Sequence, residues 1–272
     1  AAAPPGGGRS EISKRFSRHF HMLCLPSASV AVLKSIFEGI LGGYLVSAKF
    51  AKDTQGLTSS IVTSTIGIYH RMADELRPTP VKSHYTFNLR DVSKVFQGCL
   101  MVKSKQAPNS KTFAKAWVHE TLRVFCDRLI NNDDRSHFTH LVAEFIGRNF
   151  SLGWKHEDLF ETELPLLWCD FLRPAMDDGT IYEEVKDIQS PRKVLIESLD
   201  DYNMTFPTQM KLVFFEDAIC HICRISRVLR QPRGNAMLCG VGGSGRQSLT
   251  RMACFLGEVK AIQIELTRGY GL

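Results

Sequence analysis

The stretch 240-GVGGSGRQSLTR-251 limits the architectures open to this chain more than any other. It follows a short apolar run, 236-AMLC-239, and leads into a helix-like run from Arg246 to Leu256. After that, 259-VKAIQIEL-266 reads as a further strand. A strand at 236–241, a glycine turn, a helix and a strand at 259–266 make a β-loop-α-β unit, the opening of an α/β sheet. Gly240 and Gly245 give the G-x-x-x-x-G spacing, with Val241, Gly242, Gly243 and Ser244 between them. Glycines let backbone N–H groups turn inward around phosphate oxygens, and the helix behind adds its positive end. The plainer alternative is a glycine-rich turn that only joins strand to helix. The order of strand, loop and helix favours nucleotide binding.

Two positions depart from the full motif, in which a Lys reaches the β- and γ-phosphates and a Ser or Thr hydroxyl holds Mg²⁺. Arg246 keeps the charge, but its planar fork is a poor copy of a lysine point charge. Gln247 offers a carbonyl oxygen and no hydroxyl, and Ser248 comes one residue late, about 100° further round the helix. Phosphate cradling is retained and Mg²⁺ placement is weakened. A hydrolytic site of this kind also needs a later strand ending in an acid. The apolar runs that end in acids, 212-LVFFED-217 and 166-LLWCD-170, both precede the loop. Glu216 and Asp217 read as a decoy, because the pattern continues as a helix through Ile219 and Ile222. The chain stops at 269-GYGL-272, soon after the second strand, so the sequence reads as an excerpt of a larger α/β domain.

The 272 residues, 44% hydrophobic and 23% charged, fit one large or two smaller globular domains. No apolar run approaches the ~20 residues that span a bilayer, and 1-AAAPPGGGRS-10 has neither the charged nor the apolar part of a signal peptide. The net charge of +6 permits an anionic ligand without requiring nucleic acid. The eight cysteines lie mostly in apolar or helical patterns and read as buried reduced thiols. The CxxC at 220-CHIC-223 has no second pair to complete a zinc site, so no metal ligands are expected.

The fold expected is mixed α/β and predominantly helical. Helical periodicity covers most of Pro26 to Leu76, then Asn88–Val102, Lys111–Ile130 and Phe138–Phe150, with 131-NNDDRSH-137 as a polar turn. Residues 151–190 are aperiodic and hold a domain boundary. Phe214–Leu229 is a further helix, stopped by Pro232 and Gly234. Arg224, Arg227, Arg230 and Arg233 recur at every third residue and read as a solvated helix face, with a docking surface as the alternative. Arg15 and Arg18 sit among aromatics, and Arg90 stands at a helix start. Each taken alone is an ordinary structural arginine.

Several stretches together resemble the motor region of dynein heavy chains. They are 3-APPGGGR-9, 15-RFSRHF-20, 84-HYTFNLRDVSKVFQG-98, 117-WVHETLRVFCDRL-129, 213-VFFEDAICHICRISRVLRQPRGNAMLCGVGGSGRQSLTRMA-253 and 262-IQIELTRGYG-271. The loop GVGGSGRQSL is similar to the axonemal branch. The resemblance implies a six-module AAA+ ring in one giant chain. Residues 1–25 would then end the third core, with a sensor-I-proximal loop at Pro4–Arg9. Residues 26–150 would form that module's helical lid, 151–190 a connection, and 191–272 the start of the fourth core. It implies that Arg18, or alternatively Arg15, is an arginine finger reaching the preceding module's nucleotide. Arg90 is similar to a sensor-II arginine that reaches the third module's own nucleotide. A guanidinium brought to a γ-phosphate from a neighbouring domain would neutralise developing charge. ATP or ADP is the implied ligand of Gly240–Ser248, with Mg²⁺ weakened by Gln247. The implied partners are the other AAA+ modules of the same chain, and, through regions outside this one, intermediate and light chains and microtubules in a cilium or flagellum. Nucleic acid and membrane are not among the partners expected. The competing reading is a non-catalytic helical scaffold whose loop serves packing alone.

Overall fold

The computed structural model describes residues 12–174 and 179–264. Pro4–Arg9 and the end of the 259–266 segment lie outside the described residues. The helices in chain order are α1 (Lys14–Ser17), α2 (Val30–Ser47), α3 (Lys52–Gln55), α4 (Thr58–Glu75), α5 (Leu89–Cys99) and α6 (Ser110–Thr121). A π-turn over Leu122–Cys126 follows, then α7 (Asn132–Asn149) and α8 (Glu157–Phe160). A small hairpin pairs β1 (Trp168–Cys169) antiparallel with β2 (Glu183–Glu184), placing Trp168 opposite Glu184. Helices α9 (Gln189–Thr205), α10 (Glu216–Arg230) and α11 (Arg246–Leu256) complete the described chain.

Short polar side chains start four of the long helices, α2, α5, α6 and α7. Ser29, Asn109 and Asn131 each accept a backbone N–H from the first turn, which satisfies a donor that the helix itself leaves open. Asn88 and Asp91 form a full capping box on α5. Asn131 corrects the sequence reading. The 131–137 stretch is not a turn but the first turns of α7, because this Asn caps the helix from Asn132 onward.

Two apolar clusters divide the chain. The larger packs α2, α4, α5, α6 and α7 around Trp117, Phe96, Phe113, Phe125 and Phe138. Trp117 is fully buried, stacks on Phe150 at 5.1 Å between centroids and donates its Nε1–H to Thr65 Oγ1 at 2.9 Å. The smaller cluster joins Leu167, Cys169, Val185 and Leu195 to Ile219, Ile222, Cys223, Met252 and Ala253, so that α10 and α11 pack face to face.

Four expectations change here. Lys111–Ile130 is not one helix: α6 ends at Thr121 and the π-turn follows. Residues 151–190 contain the β1–β2 hairpin. The segments 236–241 and 259–264 run exposed, and no ladder pairs them among the described residues. A strand exists only when a neighbour takes its N–H and C=O groups, and the described residues hold none for these two. By length and composition α2 could cross a membrane, with a mean hydropathy of 1.5 over 18 residues. The charges it carries, Lys34 and Glu38, are too few to break the run. Leu33, Phe37, Leu41 and Leu45 nevertheless pack one of its faces into the larger cluster, while Val32, Ile36 and Ile40 stay about half exposed.

Candidate nucleotide-binding site

The glycine loop is built at the N-terminus of α11. Gly243 and Gly245 hold φ values of 79° and 77°, the left-handed region that only glycine enters freely. Gly245 is the N-cap and supplies no side-chain acceptor, so the N–H groups of the first turn point out of the helix uncapped. The first backbone bond of α11 runs from Leu249 N to Gly245 O at 2.8 Å. A Cβ on Gly242 or Gly243 would meet nothing within 4 Å, so the cradle is open on the side these residues face. At Gly240 it would come within 2.7 Å of Ser244 Oγ, which keeps the loop tight at its entry.

These residues fit a phosphate: open backbone amides, a helix N-terminus and one cation. Arg246 Nη2 is turned back to donate to Val241 O at 3.2 Å, so its guanidinium props the loop's own carbonyl. The donor set fits Mg²⁺ poorly. Gln247 is exposed and has no hydroxyl, and Ser248 is half-buried on another side of α11. Glu216 and Asp217 occupy the first turn of α10, as their reading as a decoy requires. Asp170 is engaged by Ser226 Oγ at 2.7 Å and by Arg230 at 3.2 Å.

No hydrogen bond or ion pair among the described residues ties the three arginines named from sequence to this loop. Arg15 lies on the four-residue α1, which buries none of its residues, and Arg18 caps it and donates to His19 Nε2 at 3.3 Å. Arg90 is the second residue of α5 and exposed, and its guanidinium has no hydrogen bond or ion pair among the described residues. Its backbone N–H is held by Asn88 Oδ1 at 2.8 Å, which fixes where the side chain leaves the helix.

Sequence reasoning missed a buried polar node between the two clusters. Arg227 is 6% exposed and donates Nε–H to Glu120 Oε2 at 2.8 Å, with Nη2 bound to the same oxygen. Tyr182 donates to Glu120 Oε1 at 2.6 Å, and His119 Nδ1 lies 3.3 Å from that oxygen. Burial alone would raise the Glu120 carboxyl, but the Arg227 guanidinium and the His119 contact outweigh it and hold the group at about 2. Burial pulls the His119 imidazole down to about 4, so it is neutral at pH 7 and its contact with Glu120 is not an ion pair. The arginine stripe is thus not one solvated face: Arg227 binds Glu120, Arg230 binds Asp170 and Thr180, Arg224 lies 3.7 Å from Asp127, and Arg233 is exposed beyond the end of α10. The sequence signal was Glu120 itself, an acid between Val118 and Leu122 in an otherwise apolar stripe. On α10, Cys220 and Cys223 are buried. The Cys223 thiol is pushed well up by a hydrogen bond to Cys169 and by burial, so the CxxC is core rather than chemistry.

A capped helical bundle followed by a glycine cradle on a helix N-terminus is the layout of an ATPase lid and the opening of a P-loop core. Residues 43–135 match the family described as "Dynein heavy chain, ATPase lid domain", and residues 210–272 match "P-loop containing dynein motor region D4". The chain is 46% identical to Dynein axonemal heavy chain 6 of Homo sapiens over 271 residues, 99% of this chain and 6% of that relative. It is 42% identical to Dynein axonemal heavy chain 1 of Mus musculus over 282 residues, 100% of this chain and 6% of the relative. It is also 42% identical to the Dynein-1-beta heavy chain, flagellar inner arm I1 complex, of Chlamydomonas reinhardtii over 274 residues, 99% of this chain and 6% of the relative. The chain belongs to the dynein heavy chain family, and it spans about 6% of the length of these relatives.

Proposed function

We propose that this chain is part of the ATP-driven microtubule motor of an axonemal dynein heavy chain, and that Gly240–Ser248 binds ATP or ADP as a holder rather than as a fast hydrolytic site. The observation that carries this reading is the open cradle at Gly242 and Gly243 on the uncapped N-terminus of α11, in a segment that matches the D4 motor region. A bound nucleotide would supply the phosphate charge; Gly240 to Gly245 and the first amides of α11 would hold it. Arg246→Lys and Gln247→Thr are the changes that would restore the lysine and hydroxyl of a hydrolytic loop.

The division into 1–25, 26–150, 151–190 and 191–272 belongs to this reading and is supported by the two family matches, which fall within the second and fourth ranges. Arg18, or Arg15, would act as the finger toward the preceding module, and the exposure of both leaves them free to do so. Arg90 would reach the third module's nucleotide from α5. The partners are the other AAA+ modules of the same chain, with microtubules and the intermediate and light chains contacted elsewhere. The setting is a ciliary or flagellar axoneme, as the relatives' names support, and assembly takes place in the cytoplasm.

The test is nucleotide occupancy and turnover at this loop in the complete motor domain, natural against Arg246→Lys plus Gln247→Thr. The expected outcome is bound nucleotide with negligible turnover in the natural loop and faster turnover in the double variant. An empty natural loop would leave the packing scaffold as the function of this segment.

A further inference from the structure

We infer that Glu120, Arg227 and Tyr182 form a positioning node that holds helix α5, which carries Arg90, and the Gly240 loop in one fixed relation. The geometry of the node stands by itself; only its consequence for binding rests on the nucleotide reading above.

Two sides converge on the Glu120 carboxylate. On one side α5 presses against it: a Cβ at Gly98 would fall 1.8 Å from Oε2, so only a glycine there lets the helix backbone lie against the acid. Helix α5 is 11 residues long, closed by a capping box, and carries Arg90 in its first turn. On the other side Arg227 grips Oε2 through Nε and Nη2. The buried face of α10, Ile219, Ile222 and Cys223, packs with Leu249, Met252 and Ala253 of α11. The N-terminal amides of α11 form the floor of the glycine cradle. Tyr182, arriving from the β1–β2 hairpin, takes the remaining oxygen at 2.6 Å. Arg230, one turn beyond Arg227, clamps the same hairpin through Asp170 and Thr180.

A forked, desolvated ion pair has one geometry, and removing either partner alone leaves a buried charge that forces the seam apart. Both carboxylate oxygens are occupied, so α6, which carries Glu120 and holds α5 against it at Gly98, cannot shift and leave α10 behind without breaking a buried charge contact. The three residues touch no nucleotide. They set where the loop stands relative to the lid.

The experiment uses the complete motor domain and amide hydrogen exchange, with binding of a fluorescent ADP analogue as a second readout. Binding at this loop is isolated by subtracting a Gly243→Asp plus Gly245→Asp control. Glu120→Met and Arg227→Met are each expected to speed exchange tenfold or more at residues 246–252 and at 91–99. Residues 61–72 of α4 are expected to stay protected. The double variant, which removes both charges, is expected to return both regions to within about threefold of the natural protein. Arg227→Lys and Tyr182→Phe, which disturb the site least, are expected to give smaller changes in the same two regions. Analogue binding is expected to weaken tenfold in the single variants and to recover in the double. Unchanged exchange at 246–252 in the single variants, or effects that add in the double, would overturn the node. No analogue signal in the natural protein would overturn the nucleotide reading, while the exchange result would still decide the node.

Discussion

Arg227 shows what a single residue can hide. Its sequence context, one of four arginines at threefold spacing, is that of a solvated stripe, yet it lies 6% exposed on Glu120, 107 residues away. Charge spacing reports on a helix face and not on what lies across from it. Arg227→Met leaves a fully buried carboxylate unpaired and is expected to destabilise the fold by about 3–5 kcal/mol. Thermal melting beside Arg224→Met checks this. That neighbouring arginine is 38% exposed on its side chain and touches Asp127 only at 3.7 Å, so its loss is expected to move the melting point little. Equal shifts for the two variants would mean that burial of the pair is not what matters. Gly98→Ala tests the same node from the other side. Its methyl would overlap Glu120 Oε2, and strong destabilisation is expected in a helix where an exposed Gly-to-Ala change normally stabilises. The sequence showed Gly98 in a helical pattern but carried no sign of the carboxylate above it.

At the scale of elements, the helices were the most legible part. Their apolar stripes and caps are local, and α11 begins at Arg246 and ends at Leu256 as the pattern indicated. Asn88 illustrates how local this information is: its side chain accepts from Arg90 N, Asp91 Oδ2 accepts from Asn88 N at 3.0 Å, and Asp91 Oδ1 also takes Arg128 Nη2 at 2.6 Å. Asn88→Ala is expected to cost about 1 kcal/mol, read as a shift in the urea midpoint, while Asn88→Ser is expected to restore most of it. Strands were less legible because half of a strand's identity is its partner. The 236–241 and 259–264 segments carry apolar runs, but the ladder that would make them strands lies in residues that pair with them, and periodicity does not name those. The glycine loop was legible because its chemistry is written in a few adjacent residues. The roles proposed for Arg15, Arg18 and Arg90 were not, since a guanidinium that acts on a neighbouring module is defined by what it reaches.

For the molecule as a whole, the node between the two clusters makes acid stability the most telling measurement. The groups facing His119 and Glu120 are Tyr182 from the hairpin, Arg227 from α10, Arg123 from the π-turn and Cys99 from α5. His119 is held neutral, at about 4 against an ordinary 6.5. Between those values the unfolded chain binds a proton that the folded chain refuses, so stability falls as pH drops from 6.5 to 4, by about 3 kcal/mol across the whole window. Glu120 adds a later loss of the same sign. Its carboxyl sits at about 2 against 4.5, so the stabilisation is whole above 4.5 and disappears as pH falls toward 2. Urea midpoints followed from pH 7.5 down to 4 are therefore expected to decline first through the His119 window. His119→Asn, which cannot titrate there, is expected to flatten that first decline while leaving the one below 4.5. A histidine variant with the same slope as the natural protein would place the acid sensitivity elsewhere. A flattened slope would place the first acid loss on the neutral imidazole of His119, buried beside the ionised Glu120. The two clusters would then loosen in acid first at the seam that Glu120 and Arg227 close.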